Sequence, residues 1–170
     1  DLAVDTLLKD RLMTGRPDYG WLSEETPDTS DRLRLDRVWM VDPIDGTRAF
    51  LKGRPEFTVC AGLVDQGRAV LGAVCNPAKG ESFEGGLGTG ARMNGAKLSV
   101  RKGTGVANAK LLASPRTLTP GGAGPALPDA EFTAVKSIAY RMVLIATGRF
   151  DATISMEAKS DWDIAAADII

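Results

Sequence analysis

The sequence predicts a layered α/β domain, α+β in its arrangement, with helices and strands in alternating blocks. Three observations predict it. A helical apolar periodicity opens the chain, and a second helical segment closes it. Between them, short β-type runs punctuated by turn signals read as an antiparallel meander. The 170 residues, 44% hydrophobic and 25% charged, are enough for one domain with a real core.

Residues 2–12 read as an amphipathic helix with Val4, Leu7, Leu8 and Leu12 on one face. Residues 38–41 form a short buried strand. The meander follows as 57–64, 69–75 and 81–86, with turns at Asp65-Gln66-Gly67 and Asn76-Pro77. Asn94-Gly95 marks another tight turn. The Pro/Gly-rich stretch 115–128 reads as a loop within the single domain 1–170, joining subdomains of about 1–114 and 129–170. Residues 137–147 are apolar enough for a buried helix, and 150–155 for another strand. The segment "SDWDIAAADII" starts a last helix, with Ser160 or Asp161 as N-cap. The first and last helices lack caps at their outer ends, so the domain is expected to be incomplete at both.

Net charge is −1, and no basic stripe or run of like charges stands out. That argues against a nucleic-acid polymer as partner. No apolar stretch nears the length needed to span a bilayer, and no signal peptide opens the chain. The expected location is cytoplasmic, at most peripheral to a membrane. Cys60 and Cys75 lie in apolar runs without Cys-x-x-Cys spacing. Two buried free thiols are expected, with a disulfide as the alternative. Histidine is absent, which removes the commonest general base and the usual zinc ligand. Chemistry falls to carboxylates, hydroxyls, lysine, arginine or a metal.

The acidic residues gather at element ends. Asp42 and Asp45 follow an apolar strand, with Pro43 between them and Gly46-Thr47 after. Pro43 disfavours helix at Asp42 and fixes its own φ, which predicts a turn there and a short helix near 48–51. Free N–H groups around Gly46 and Thr47 would offer a seat to a phosphate oxygen. Two unit charges ~4 Å apart at an effective ε of ~20 repel by about 4 kcal/mol. The pair therefore needs a proton, separate partners or a cation. Read alone, the pair is better accounted for by an Asp-Pro turn with an Asx cap. Glu24-Glu25 follows the Tyr19-Gly20-Trp21-Leu22 run, and Asp163 stands in the first turn of an apolar helix. A solvated loop and a helix-dipole charge are their bland readings. Together, the three clusters fit a hard-cation site with oxygen ligands only, which favours magnesium or manganese over zinc.

Three segments resemble the inositol monophosphatase superfamily of magnesium-dependent, lithium-sensitive phosphatases, nearest to its bacterial bisphosphate-nucleotidase (CysQ-like) group. They are Glu24-Glu25, Asp42-Pro43-Ile44-Asp45-Gly46-Thr47 and Trp162-Asp163, in that order. The resemblance implies a sugar-phosphatase-like fold of alternating layers, with the metals where the layers meet. It implies a Mg²⁺-dependent enzyme holding two or three ions, with Mn²⁺ as a substitute. One metal falls to Glu24, Asp42 and the Ile44 carbonyl, and a second to Asp42, Asp45 and Asp163. Thr47, paired with Asp1, would polarise the attacking water, and Glu25 joins them as a catalytic residue. Gly46, Thr47, Ser137 and Arg141 would face phosphate or substrate. The family is often dimeric, which makes a homodimer the expectation. In haloacid-dehalogenase-type phosphatases the aspartates stand two apart, and here Ile44 occupies that position.

Two substrates compete: the 3′-phosphate of adenosine 3′,5′-bisphosphate, and an inositol monophosphate. Arg141 falls where the nucleotidase branch carries a lysine, and a second phosphate would need such a cation. A solvated helix arginine is the alternative. Met156 falls where the inositol branch has a glutamate for a ring hydroxyl. Lys136-Ser137 replaces the family's usual Gly-Ser. A non-catalytic metal-binding interaction module stands as the remaining class. Trp21, Trp39 and Trp162 are expected to pack, and Lys52, Arg54 and Arg68 to be solvated.

Overall fold

The computed structural model describes residues 1–103, 105–118 and 129–170. Of the loop expected over 115–128, residues 119–128 lie outside the described residues. Helix α1 (Leu2–Gly15) leads into strand β1 (Gly20–Ser23). A 3-10 turn (Ser30–Arg34) precedes β2 (Arg37–Asp45) and the short helix α2 (Thr47–Phe50). Strands β3 (Thr58–Asp65), β4 (Arg68–Asn76), β5 (Glu81–Gly86), β6 (Gly90–Met93) and β7 (Ala96–Lys97) follow. Then come β8 (Lys110–Ala113), β9 (Glu131–Ala134), α3 (Ile138–Ala146), β10 (Ala152–Ile154) and α4 (Asp161–Asp168).

Strands β1 to β7 form one sheet in chain order, with β1 parallel to β2 and every later pair antiparallel. The expected meander is its centre. Gln66 and Gly67 both take positive φ, as a two-residue hairpin turn requires. A second, all-parallel sheet has the order β10-β8-β9. Helix α3 packs against β10 of the small sheet and against β3 and β4 of the large one, and α4 covers β2, β3 and β4. One core joins these layers through Cys60, Val74 and Phe83 of the large sheet, Leu112 of β8, Tyr140 and Val143 of α3, and Ala166 of α4.

Strand β3 alternates strictly, with Thr58, Cys60, Gly62 and Val64 buried on the α3/α4 face. Gly62, Gly72 and Gly85 stand opposite one another on three adjacent strands. A Cβ on Gly72 would lie 2.0 Å from the Ala166 carbonyl oxygen. This glycine row lets the α4 backbone, itself carrying Ala165, Ala166 and Ala167, settle directly on the sheet.

Several expectations need correction. The chain does not turn at Asp42-Pro43: β2 continues through Asp45 and pairs Asp45 with Thr58. A bulge between Asp42 and Asp45 lifts Pro43 and Ile44 out of the ladder, which suits a residue with no N–H to give. Cys60 is buried, but Cys75 points to the opposite face and is exposed; both are free thiols. In α1, Leu7 is exposed while Val4, Leu8 and Leu12 are half-buried, and the buried residue is Asp5. Trp39 is buried, Trp162 packs on the Leu22, Val38, Met40 cluster, and Lys52, Arg54 and Arg68 are exposed as expected. Among the described residues no helix is long and apolar enough to cross a membrane.

Candidate metal centre and active site

Strand direction builds the site. Parallel β1 ends at Ser23 opposite Val41, and β2 runs on past it to Asp45. The next residues on each, Glu24 and Asp42, therefore stand side by side, Glu24 just beyond β1 and Asp42 still paired with Cys60 of β3. The Glu24 N–H donates to the Val41 carbonyl at 3.3 Å. The bulge then carries the chain to Asp45, whose Oδ2 accepts from the Ser137 hydroxyl and the Ala139 N–H, both at 2.7 Å. Ser137 caps α3 by accepting from the Tyr140 N–H at 2.9 Å and shares a hydrogen bond with Thr58 at 3.0 Å. Asp163 enters from α4, where its Oδ2 accepts from the Ser160 N–H at 2.8 Å in a capping box.

The electrostatics record how close these acids are. Burial, then the charges of Asp45, Glu24 and Asp163, push the Asp42 carboxyl up to about 9, against a hydrogen bond from the Ile44 N–H. Burial pushes Asp45 up to about 6, with the Ser137 and Ala139 donors pulling back and Asp163 pushing further up. Glu24 is raised by burial and then by Asp163, with a hydrogen bond to Asp42 opposing. Four carboxylates from two strand ends and a helix start thus strain against one another.

A hard divalent cation fits this donor set. The ligands are all oxygen, and their mutual repulsion is what a bound cation relieves. The Ile44 carbonyl accepts from the Thr47 hydroxyl at 3.0 Å and keeps a second lone pair. Among the described residues, no three of these acids are drawn together into a closed coordination shell. Asp42, Asp45 and Asp163 each spend one oxygen on a backbone N–H instead.

Not every expected residue joins the site. Among the described residues no hydrogen bond links Asp1 to Thr47. Asp1 is exposed at the start of α1, where its carbonyl accepts from Val4 and Asp5. The buried acid of that helix is Asp5, which takes the Ser23 hydroxyl on Oδ1 and the Thr26 hydroxyl at 2.7 Å on Oδ2. Asp5 thereby ties α1 to the segment carrying Glu24 and Glu25. An acid between Val4 and Leu8, on the helix face meant for the core, was the signal for it. Glu25 is half-buried, and its charge contributes to the rise at Glu24. Ser137 is wholly buried and its hydroxyl is engaged with Asp45, the start of α3 and Thr58. Arg141 is not solvated: it is 1% exposed and its Nη1 donates to the Ile154 carbonyl at 2.8 Å. Gly46 has a φ of 93°, and a Cβ there would meet the Glu56 carbonyl oxygen at 2.8 Å, so the bend into α2 requires glycine.

Beside Thr47 opens a cleft of about 470 Å³ lined by Arg48, Ser114, Arg116, Lys136 and Glu157. A larger hollow of about 610 Å³ lies at the other end of β2, where Arg37 and Asp65 pair at 2.9 Å.

Comparison with known proteins matches this architecture. The model of the inositol monophosphatase family covers residues 1–170. The inositol-1-monophosphatase of Rhizobium meliloti (strain 1021) is 31% identical over 174 residues, covering 98% of this chain and 65% of its own length. The chain therefore spans just under two thirds of that relative. The 3′(2′),5′-bisphosphate nucleotidase CysQ of Escherichia coli (strain K12) is 45% identical over 78 residues, 45% of this chain and 32% of its own. Inositol monophosphatase II of Staphylococcus aureus MSSA476 superposes with a TM-score of 0.86 at 24% identity, over 99% of this chain and 67% of that one. With its acidic motifs at the strand ends and its whole length matched, the chain belongs to the inositol monophosphatase family.

Proposed function

We propose that the protein is a Mg²⁺-dependent phosphomonoesterase that removes the 3′-phosphate of adenosine 3′,5′-bisphosphate by attack of water. The observation that carries the hydrolytic reading is that Asp45, Glu24 and Asp163 all bear on the buried Asp42 carboxyl, which is pushed up to about 9. Glu24, Asp42 and the Ile44 carbonyl would hold one cation, and Asp42, Asp45 and Asp163 a second. Bound metal would supply charge neutralisation for the phosphate and acidify water. The Thr47 hydroxyl donates its hydrogen bond to the Ile44 carbonyl. Its lone pairs are then left to accept from a water and aim it. Glu25 is the carboxylate proposed to take up the water's proton. Arg141, held by Ile154, is read as bracing α3 against β10.

Two observations divide the substrate question. The segment match to the nucleotidase is the more identical, while the match to the inositol-1-monophosphatase is the longer. Glu157, one residue beyond Met156, lines the cleft, and a carboxylate there suits a ring hydroxyl. Inositol monophosphate is therefore the second reading. Phosphate release by the full-length protein with Mg²⁺ from both substrates decides. A tenfold preference in kcat/KM, about 1.4 kcal/mol of discrimination, assigns the branch it favours. Asp45→Asn and Asp163→Asn are expected to abolish release with folding retained. Release from neither substrate or from any other monoester would leave the non-catalytic, metal-binding module.

A further inference from the structure

We infer that Lys136, assisted by Arg48, is the specificity determinant for a second anionic group on the substrate, bound in the cleft beside Thr47. This rests on the phosphomonoesterase reading and adds to it which residues select the substrate. The cleft carries the opposite charge to the acidic centre next door. Three of its lining residues are cations, Arg48, Arg116 and Lys136, and one is an acid, Glu157. Arg116 and Glu157 pair at 3.3 Å. Arg48 and Lys136 have no side-chain hydrogen bond or ion pair among the described residues, and Lys136 is half-buried. Two uncommitted cations in a concave wall call for an anion.

The position of the cleft fixes which anion. Asp45 and Ser137 are joined side chain to side chain at 2.7 Å. Gly46, Thr47 and Arg48 leave from one partner of that bond, and Lys136 precedes the other. Both walls of the cleft are therefore continuous with the acidic centre. A small molecule with its scissile phosphate at the carboxylates would extend its leaving group between Arg48 and Lys136. A phosphate on that leaving group would meet both cations. Arg141, nearly sealed from solvent and bonded to Ile154, has no comparable access.

The test compares adenosine 3′,5′-bisphosphate with adenosine 3′-monophosphate, which differ only in the second phosphate. In the full-length protein, Lys136→Ala is expected to lower the preference for the bisphosphate in kcat/KM about tenfold, chiefly through KM. Lys136→Arg is expected to keep it, and Arg48→Ala to lower it less. An unchanged preference in Lys136→Ala, or an equal loss on both substrates, overturns the inference. A second readout needs no turnover. Without divalent cation, where the carboxylates repel phosphate, adenosine 5′-monophosphate is titrated by calorimetry. Binding at least fivefold weaker in Lys136→Ala is expected, and equal binding overturns the inference. Weakened binding in Lys136→Ala with no phosphate release by the parent protein would sink the phosphatase reading and leave the anion site standing. Release without any dependence on Lys136 would do the reverse.

Discussion

Asp42 has almost no solvent around its carboxyl, and three other acids face it. Its folded value of about 9 lies above the ordinary aspartate value of 3.8, so the metal-free folded chain keeps a proton that the unfolded chain gives up. Stability therefore falls as pH rises from the lower value through the higher. Asp45, at about 6, adds the same sign over the lower part of that window. Without metal, the denaturation midpoint is expected to drop between pH 6 and pH 9, and Asp42→Asn to flatten the drop. Magnesium needs the carboxylate, so its binding at pH 7 should release a proton. Calorimetric enthalpies that differ between buffers of different ionisation heat would show that release, and identical enthalpies would refute it. Ser137 has three partners in Asp45, the start of α3 and Thr58. Ser137→Ala removes a donor from Asp45 and the cap of α3, and is expected to cost about 1–2 kcal/mol in urea denaturation. Magnesium affinity should fall in the same variant, because Asp45 loses the group that orients it.

The same centre depends on how α4 sits on the sheet. Asp163 is in the first turn of that helix, the helix rests on Gly62 and Gly72, and Ile169 and Ile170 just beyond it lie over Gly85. Gly72→Ala would drive a methyl group into the Ala166 carbonyl and force the helix outward. Overpacking of this kind costs about 1–3 kcal/mol. Magnesium affinity is expected to fall with the stability, since Asp163 moves with α4. A variant that lost stability but bound magnesium as before would show that the helix start is anchored independently, through the Ser160 capping box. The sequence made the central elements readable, because β3 alternates strictly and Asn94-Gly95 and Gln66-Gly67 are hairpin turns. The glycine row was not read, since each glycine alone resembles a strand defect and only pairing across β3, β4 and β5 aligns them. Strands β8 and β9 were missed for a related reason. Each is four residues long, too short for a period, and they find each other and β10 only through the fold. Asp42-Pro43 was read as a turn because a proline in a strand usually ends it; the bulge is the exception that keeps Asp45 in register with Thr58.

At the scale of the molecule, the acidic residues around Asp42 were legible because they break apolar runs, whereas the contacts that hold the layers together join residues far apart in sequence. Asp5 to Ser23, Asp45 to Ser137 and Glu81 to Tyr140 are of this kind. The last joins β5 to α3. Glu81 accepts from the Tyr140 hydroxyl at 2.6 Å and from Arg149 Nη1 at 2.7 Å. Burial pushes the Glu81 carboxyl up, but the Tyr140 hydroxyl and the Arg149 guanidinium outweigh it, and the net shift is below the ordinary value of 4.5. The sign is opposite to that of Asp42. A lowered acid contributes stability that is complete above its unfolded value and is lost as pH falls through the folded one. Glu81→Ala is expected to cost about 1–3 kcal/mol at pH 7, because the buried Tyr140 hydroxyl loses its acceptor. As pH falls through the folded value of Glu81 the gap between variant and parent should narrow, since the parent loses the same charge. Tyr140→Phe in the Glu81→Ala background should add less than it does alone, as expected for two ends of one bond. Additive losses, or a gap that persists in acid, would mean that Glu81 fills space between the layers and does not bind them by charge.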